Sequence, residues 1–406
     1  MRAGPFSSRT VLLLAVATLA LVSTAQAAPK FKVLHAFGQG QDGAGLWGNL
    51  ALDSKGNLYG MTEGGGTSCC GIVFQLAPHR SGRWTEAILQ ELSCKDSEEG
   101  CMPESGFVLD AAGNLYGMSS GGGGQGAGTV FELSPGSGGW TATVLYDGGG
   151  WANLVLDETG NIYGPMASYG QYGGGAISEL VKDQGWAAKW VYSFCPRDPC
   201  VDGAWPRAGV TWGSDGSLYG TTISGGTGTY GVVFRLTPQQ DGTWKETVLH
   251  SFPSFKNDGQ KPYDGVILDQ SGNVYGATFQ GGGGGYNCGV IFKLSPTGSR
   301  WKETILYDFP DPSKGCGSNN LTFDAKGNLW STGGGGTGSC NGGCGVVFKL
   351  MPQANGKWKY SVAHYFDGSH GVYSNAAVVF DKQGYLYGTT ILGGAYGGGV
   401  VFELTP

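Results

Sequence analysis

The chain has 406 residues, with 31 acidic against 25 basic side chains for a formal charge of −6, and 78 glycines. The acidic balance argues against a nucleic-acid role, which needs a basic face. Glycine alternates with short Val/Ile/Leu/Phe/Tyr runs at fixed offsets, so the chain is not disordered low-complexity sequence: the glycines belong to turns and the apolar runs to strands.

Residues 1–27 read as a secretory signal. Arg2 and Arg9 precede an apolar run from Val11 to Val22, and Ala25-Gln26-Ala27 supplies a cleavage site, so the mature chain is expected to start at Ala28. That run is too short to span a bilayer and no comparable one follows. The first cysteine is Cys69, which leaves no attachment point for a lipid near the cleavage site. Removing two arginines and no acid moves the charge to −8. The expectation is a secreted or periplasmic monomer without membrane insertion. Ten cysteines in an exported chain favour disulfides, and no CxxC pair or His/Cys cluster points to zinc.

Residues 28–406 form one domain built from one phrase. It occurs as Gly56-Asn57-Leu58-Tyr59-Gly60 and recurs from Gly113, Gly160, Gly216, Gly272, Gly327 and Gly384, at spacings of 57, 47, 56, 56, 55 and 57 residues. Each copy opens with an apolar run such as Leu154-Val155-Leu156, which suits a strand covered on both faces. An Asp-x-x-Gly turn follows in six copies (Asp53, Asp110, Asp157, Asp269, Asp324, Asp381), with Gly213 in that place in the fourth. The phrase itself is the second strand. After a glycine-rich loop comes a third strand such as Val232-Val233-Phe234-Arg235-Leu236, then a fourth, usually opened by tryptophan, as in Trp244 to Phe252. Four antiparallel strands copied seven times predict an all-β, seven-bladed β-propeller. The N-terminus supplies only a fourth-type strand, Phe31 to Phe37, and the C-terminus stops after a third-type strand, Val400 to Leu404. Pairing them would complete the last blade and remove two open edges.

The string Asp-x-x-Gly-Asn-Leu-Tyr-Gly-x-Thr, a Gly-Gly loop, then Val-Phe-x-Leu-x-Pro resembles the GloVer tandem repeat of exported bacterial proteins, from Phe31 to Pro406. The resemblance implies a secreted propeller and supplies no shared activity. The third copy departs most, with Pro165-Met166 after its glycine and Ser178 in the place of phenylalanine; the sixth has Trp330-Ser331 for Tyr-Gly.

In a four-stranded blade, the second-to-third loops and the linkers between blades share one face. All ten cysteines fall in those segments. Cys195 with Cys200, Cys288 with Cys316 and Cys340 with Cys344 are the expected bridges, while Cys69, Cys70, Cys94 and Cys101 leave three connectivities open. Stapling long loops restricts the unfolded chain, and loops whose shape is fixed mark the face to search for function.

Nine residues before each turn glycine lies one residue at the mouth of the central channel: Trp47, Glu104, Trp151, Arg207, Tyr263, Ser318 and Asn375, flanked by Trp205, Asp264, Asn319, Asn320 and Tyr373. Planar rings suit the apolar faces of sugars, and amides and carboxylates suit their hydroxyls. The expected ligand-binding set is Trp47, Trp151, Trp205, Arg207, Tyr263, Asn320 and Asn375, and the expected ligand an extracellular polysaccharide; the same aromatics would otherwise serve as packing between blades.

An acidic-Gly step also precedes each innermost strand, at Asp42, Glu99, Asp147, Asp202, Asp258 and Asp367, with Lys314 as the exception. These read as turn residues, with a calcium-holding acidic ring as the alternative and no cofactor otherwise expected. No nucleophile elbow, HExxH or phosphate loop is present. A binding module is therefore favoured over an enzyme. The enzyme alternative, a glycan hydrolase or lyase, would need Glu104, Asp264, Arg207, His370 and Tyr373 to converge across the mouth. A third reading is a protein-interaction or envelope-structural module. His35, His250 and His364 share one fourth-strand place with Tyr146, Tyr192 and Tyr307, which marks a structural position.

Overall fold

The computed structural model describes residues 29–94, 100–124, 126–166, 170–253 and 257–405; the signal segment and Glu99 lie outside them. Each Asp-x-x-Gly turn is built by one carboxylate. Asp53 Oδ1 accepts from the amides of Lys55 and Asn57, both at 2.8 Å, and Oδ2 accepts from Asn57 Nδ2 at 2.8 Å and the Tyr59 hydroxyl at 3.1 Å. Gly56 closes the turn at φ 88°, a left-handed conformation that a side chain disfavours. The second glycine of the phrase has another cause. A Cβ on Gly60 would lie 2.5 Å from the Phe74 ring, so the third strand's phenylalanine excludes any side chain there.

These hairpins assemble into seven four-stranded antiparallel sheets. Numbered in chain order, blade 1 spans 51–91, blade 2 108–147, blade 3 155–193, blade 4 211–251, blade 5 267–308 and blade 6 322–365. Blade 7 takes three strands from 379–405 and its outermost from Lys30–Ala36, which pairs antiparallel with Val400–Thr405 from Lys30↔Thr405 to Ala36↔Val400. The expected ring closure is thus observed. In every blade the register between third and fourth strands slips once at the same place, as at Val73/Phe74, a bulge that adds twist to the outer edge.

The core lies between blades. Leu58, Phe74 and Leu76 of blade 1 pack with Tyr387 and Val401 of blade 7, and the phrase tyrosine of one blade meets the opening tryptophan of the next, as Tyr59 with Trp140 at 5.8 Å. In the sixth copy Trp330 does the tyrosine's work, donating Nε1 to Asp324 Oδ2 at 2.9 Å.

Linkers and second-to-third loops share one face, as expected. They are stitched by bridges such as Ala44↔Gly64, Ala204↔Ser224 and Val372↔Leu392, and in blade 5 by a short ladder of Gly259–Gln260 with Gln280–Gly281. Disulfides join Cys195 to Cys200, Cys288 to Cys316, Cys340 to Cys344 and Cys94 to Cys101. Cys69 and Cys70 are corrected to free thiols. Consecutive Cα atoms sit about 3.8 Å apart, below the 4.4–6.8 Å a disulfide normally spans, so once Cys94 takes Cys101 the adjacent pair has no partner. The bridges belong to an oxidising compartment, and among the described residues no helix is long and apolar enough to cross a membrane.

Candidate functional site at the channel mouth

Five of the seven linkers enter their innermost strand through the same backbone device. Two residues before the mouth position, the chain is left-handed at Met102, Trp205, Lys261 and Tyr373, with φ between 52° and 62°, and at Gly45 with φ 77°. Non-glycine residues adopt this conformation rarely and at a cost. Hydrogen bonds hold them there. Trp205 N donates to Gly174 O at 2.7 Å while its carbonyl accepts from Ile223 N at 3.2 Å, and Tyr373 repeats the pattern with Cys344 and Ile391. The result is a rim of large side chains turned outward: Met102, Trp205 and Tyr373 are all exposed. This outer ring was not anticipated as a set, although the same offset counting would have found it.

Inside the rim, six of the seven mouth residues converge. Trp47, Glu104, Trp151, Arg207, Tyr263 and Asn375 line one cavity of about 270 Å³, together with Asp264 and Asn320. Ser318 does not; it is buried and its hydroxyl bonds to Ser331 Oγ at 2.9 Å. The floor is fixed by asparagines clasping neighbouring blades: Asn49 accepts from Ala377 N at 2.6 Å, Asn153 from Gly106 N at 2.8 Å and Asn320 from Gly265 N at 3.3 Å. The carbonyl end of Asn320 is therefore part of the scaffold. Asn319 is too, its amide donating to Thr332 Oγ1 at 2.9 Å and to the Ser374 carbonyl.

The aromatic rings are fixed in orientation. Trp47 donates Nε1 to Glu63 Oε2 at 2.6 Å, the Arg207 guanidinium lies 5.0 Å over the Trp151 ring, and Tyr263 meets Phe279 edge-on at 5.3 Å. Trp151 and Arg207 also wall a second recess of about 480 Å³ with Met166, Trp205, Pro206 and Ile223. Its Met166 comes from the irregular third copy. Trp205 thus stands in the adjoining groove.

Arg207 is the one cation among the residues lining the mouth. Burial pushes Asp264 up to about 7. Glu104 is raised by burial and by the charge of Glu63, with Arg207 opposing. Near neutral pH Asp264 therefore offers both a protonated form that donates a hydrogen bond and an ionised form that only accepts. His370 and Tyr373 are not among these residues. His370 Nδ1 pairs with Asp367 Oδ2 at 2.9 Å and its ring meets Phe31 at 5.7 Å, while the Tyr373 hydroxyl donates to Asn341 O at 2.9 Å. The expected convergence of five catalytic candidates reduces to Glu104, Asp264 and Arg207. A wider groove of about 660 Å³ at the seam of blades 7 and 1 is lined by Asp-turn residues, including Asp53, Lys55 and Lys382, that belong to the scaffold.

Among the described residues the acidic-Gly carboxylates form no common ring. Asp42, Asp202, Asp258 and Asp367 each bond within a separate blade interface, to His35, Tyr192, His250 and His370 respectively.

Fold and site together define a seven-bladed propeller whose linkers build a recess over one end of the central channel. The chain belongs to the Gloeobacter/Verrucomicrobia repeat family, whose model matches residues 20–153, 98–282 and 150–355 in overlapping stretches. No curated protein is detectably similar in sequence. Among solved structures it is similar to an ulvan lyase, a polysaccharide lyase, at 10% identity and a TM-score of 0.54 over 89% of this chain and 94% of that one. The same lyase family bound to -[GlcA(1-4)Rha3S]- gives 11% and 0.53 over the same shares. The extracellular domain of a hybrid two-component system of B. thetaiotaomicron gives 13% and 0.53 over 93% of this chain, which spans only 41% of that one. At such identities the likeness is one of fold.

Proposed function

We propose that the chain is an exported glycan-binding propeller that takes an extracellular polysaccharide at the channel mouth, with the Trp151–Trp205 groove as a second contact along the same strand. The observation that supports this most is the gathering of Trp47, Trp151 and Tyr263 with Glu104, Asp264 and Asn375 in one recess. Ring faces cover the apolar side of a pyranose and the carboxyl and amide groups match its hydroxyls. With one cation against Glu104 and Asp264, the mouth favours a hydroxyl-rich stretch over a highly charged one.

The triple substitution of Trp47, Trp151 and Tyr263 to alanine is expected to abolish retention on an insoluble-polysaccharide panel while leaving the far-UV spectrum unchanged. Equal retention by wild type and variant on every glycan would rule this site out, and co-purification of a protein partner instead would favour an interaction module. One observation supports a catalytic second reading: Asp264, raised to about 7, has a pKa suited to a general acid or base beside Arg207. That reading predicts new reducing ends or unsaturated products from the retained polysaccharide, lost in Asp264→Asn.

A further inference from the structure

The histidines of the outer strands lead to a feature away from the mouth. His35 lies on the outermost strand of blade 7. Its Nε2 is 3.3 Å from Asp42 Oδ2, on the following linker, and 3.6 Å from Glu86 Oε2, on the outermost strand of blade 1. His250 of blade 4 repeats this with the same two distances, to Asp258 Oδ2 of its linker and Glu303 Oε1 of blade 5. In each cluster the donor atoms all lie within 4.8 Å of one another. A cation bound at about 2.1 Å to tetrahedral ligands separates them by roughly 3.4 Å, close to the two histidine–carboxylate distances in each cluster.

Backbone amides already orient the acids, since Asp42 Oδ1 accepts from Gly38 N at 3.0 Å and Asp258 Oδ1 from Gly259 N at 2.6 Å. The glutamates are the anomaly. Oε1 of Glu86 and of Glu303, like that of Glu246 at the Tyr192 interface, is closed off from solvent with no hydrogen-bond donor, and only in Glu303 is it the atom that faces an imidazole. A buried carboxylate oxygen without a partner is costly and calls for an explanation.

We propose that each triad is a binding site for a zinc-class divalent cation, one formed by His35, Asp42 and Glu86 and one by His250, Asp258 and Glu303. Two carboxylates and a neutral imidazole carry a charge of −2, which a divalent ion cancels, and a nitrogen donor favours zinc-class ions over calcium, which prefers oxygen. The first site ties the strand that completes blade 7 to its following linker and to blade 1.

Other interfaces act as internal controls. Between blades 3 and 4, Tyr192 replaces the histidine and donates its hydroxyl to Asp202 Oδ2 at 3.0 Å. Between blades 6 and 7, Phe31 stands in the glutamate's place, stacked on His364 at 3.8 Å. Neither offers the donor set.

Equilibrium dialysis of the chelator-stripped full chain against zinc tests this. Wild type is expected to bind two equivalents, His35→Gln and His250→Gln one each, and Tyr192→Phe still two. The double variant Glu86→Gln/Glu303→Gln keeps the shape and removes the orphan carboxylates. It should fold at least as well as the metal-free wild type, bind two equivalents fewer and lose the zinc-dependent rise in melting temperature; any uptake it retains measures the free Cys69 and Cys70 thiols and the exposed histidines. Absence of saturable binding by wild type, or equal uptake by wild type and the double variant, would overturn the proposal.

Discussion

Asp269 shows how much one side chain of the repeat does. Its carboxylate accepts from Ser271 N and Asn273 N, both at 2.9 Å, from Asn273 Nδ2 at 2.7 Å and from the Tyr275 hydroxyl at 3.0 Å. Burial opposes its ionisation, but these donors outweigh burial and hold it below the usual range. Its contribution is therefore present above the ordinary Asp pKa and lost as pH falls through the lower folded value. Asp269→Ala leaves those donors unanswered and is expected to cost about 1–3 kcal/mol in a denaturant titration. This role was legible from the Asp-x-x-Gly spacing. The fourth copy was not, because Gly213 conceals a substitute: Asp215 accepts from Ser217 N at 3.1 Å and pairs with Arg235, a third-strand residue that no local pattern connects to the turn. Cys69 and Cys70 illustrate the other failure, where counting thiols ignored that neighbours in the chain are too close to bridge.

Between blades, one fourth-strand position meets a residue of the next blade, and the pair varies around the ring. Tyr307 stacks on Tyr360 at 4.2 Å and His364 on Phe31 at 3.8 Å, whereas Tyr192 faces Asp202 and Glu246. The repeated His/Tyr place was readable in the sequence. Its partners were not, because each glutamate comes from the following copy and faces the site only once the blades are stacked. Burial and the Asp202 charge push Glu246 up to about 7 from 4.5. A raised folded pKa means that the folded chain holds this proton more tightly, so the contribution is full below the unfolded value and is lost as pH rises through the folded one. With a chelator present, the denaturation midpoint of wild type should fall relative to that of Glu246→Gln between about pH 5 and pH 8. Parallel pH profiles would mean that Glu246 does not titrate in this window.

At the scale of the whole molecule, the strand order, the blade count and the closure by Lys30–Ala36 followed from the phrase and its spacing, since a lone fourth-type strand at one end and a copy short of that strand at the other have one economical way to pair. The mouth was legible because the same ruler places one residue per blade at the channel. What spacing could not tell was depth: it set Ser318 among the mouth residues although its side chain turns into the core, and it grouped His370 and Tyr373 with residues from which the loop paths separate them. The left-handed rim also needs the three-dimensional stitching of linker to loop before it can be seen. The central claim concerns where a ligand sits, and hydrogen exchange with and without a retained polysaccharide locates it directly. The account predicts slowed exchange in linker segments 45–49, 149–153, 205–209 and 261–265, with the Asp turns on the opposite face unchanged. Protection centred on those turns, or none at the mouth under saturating polysaccharide, would contradict it.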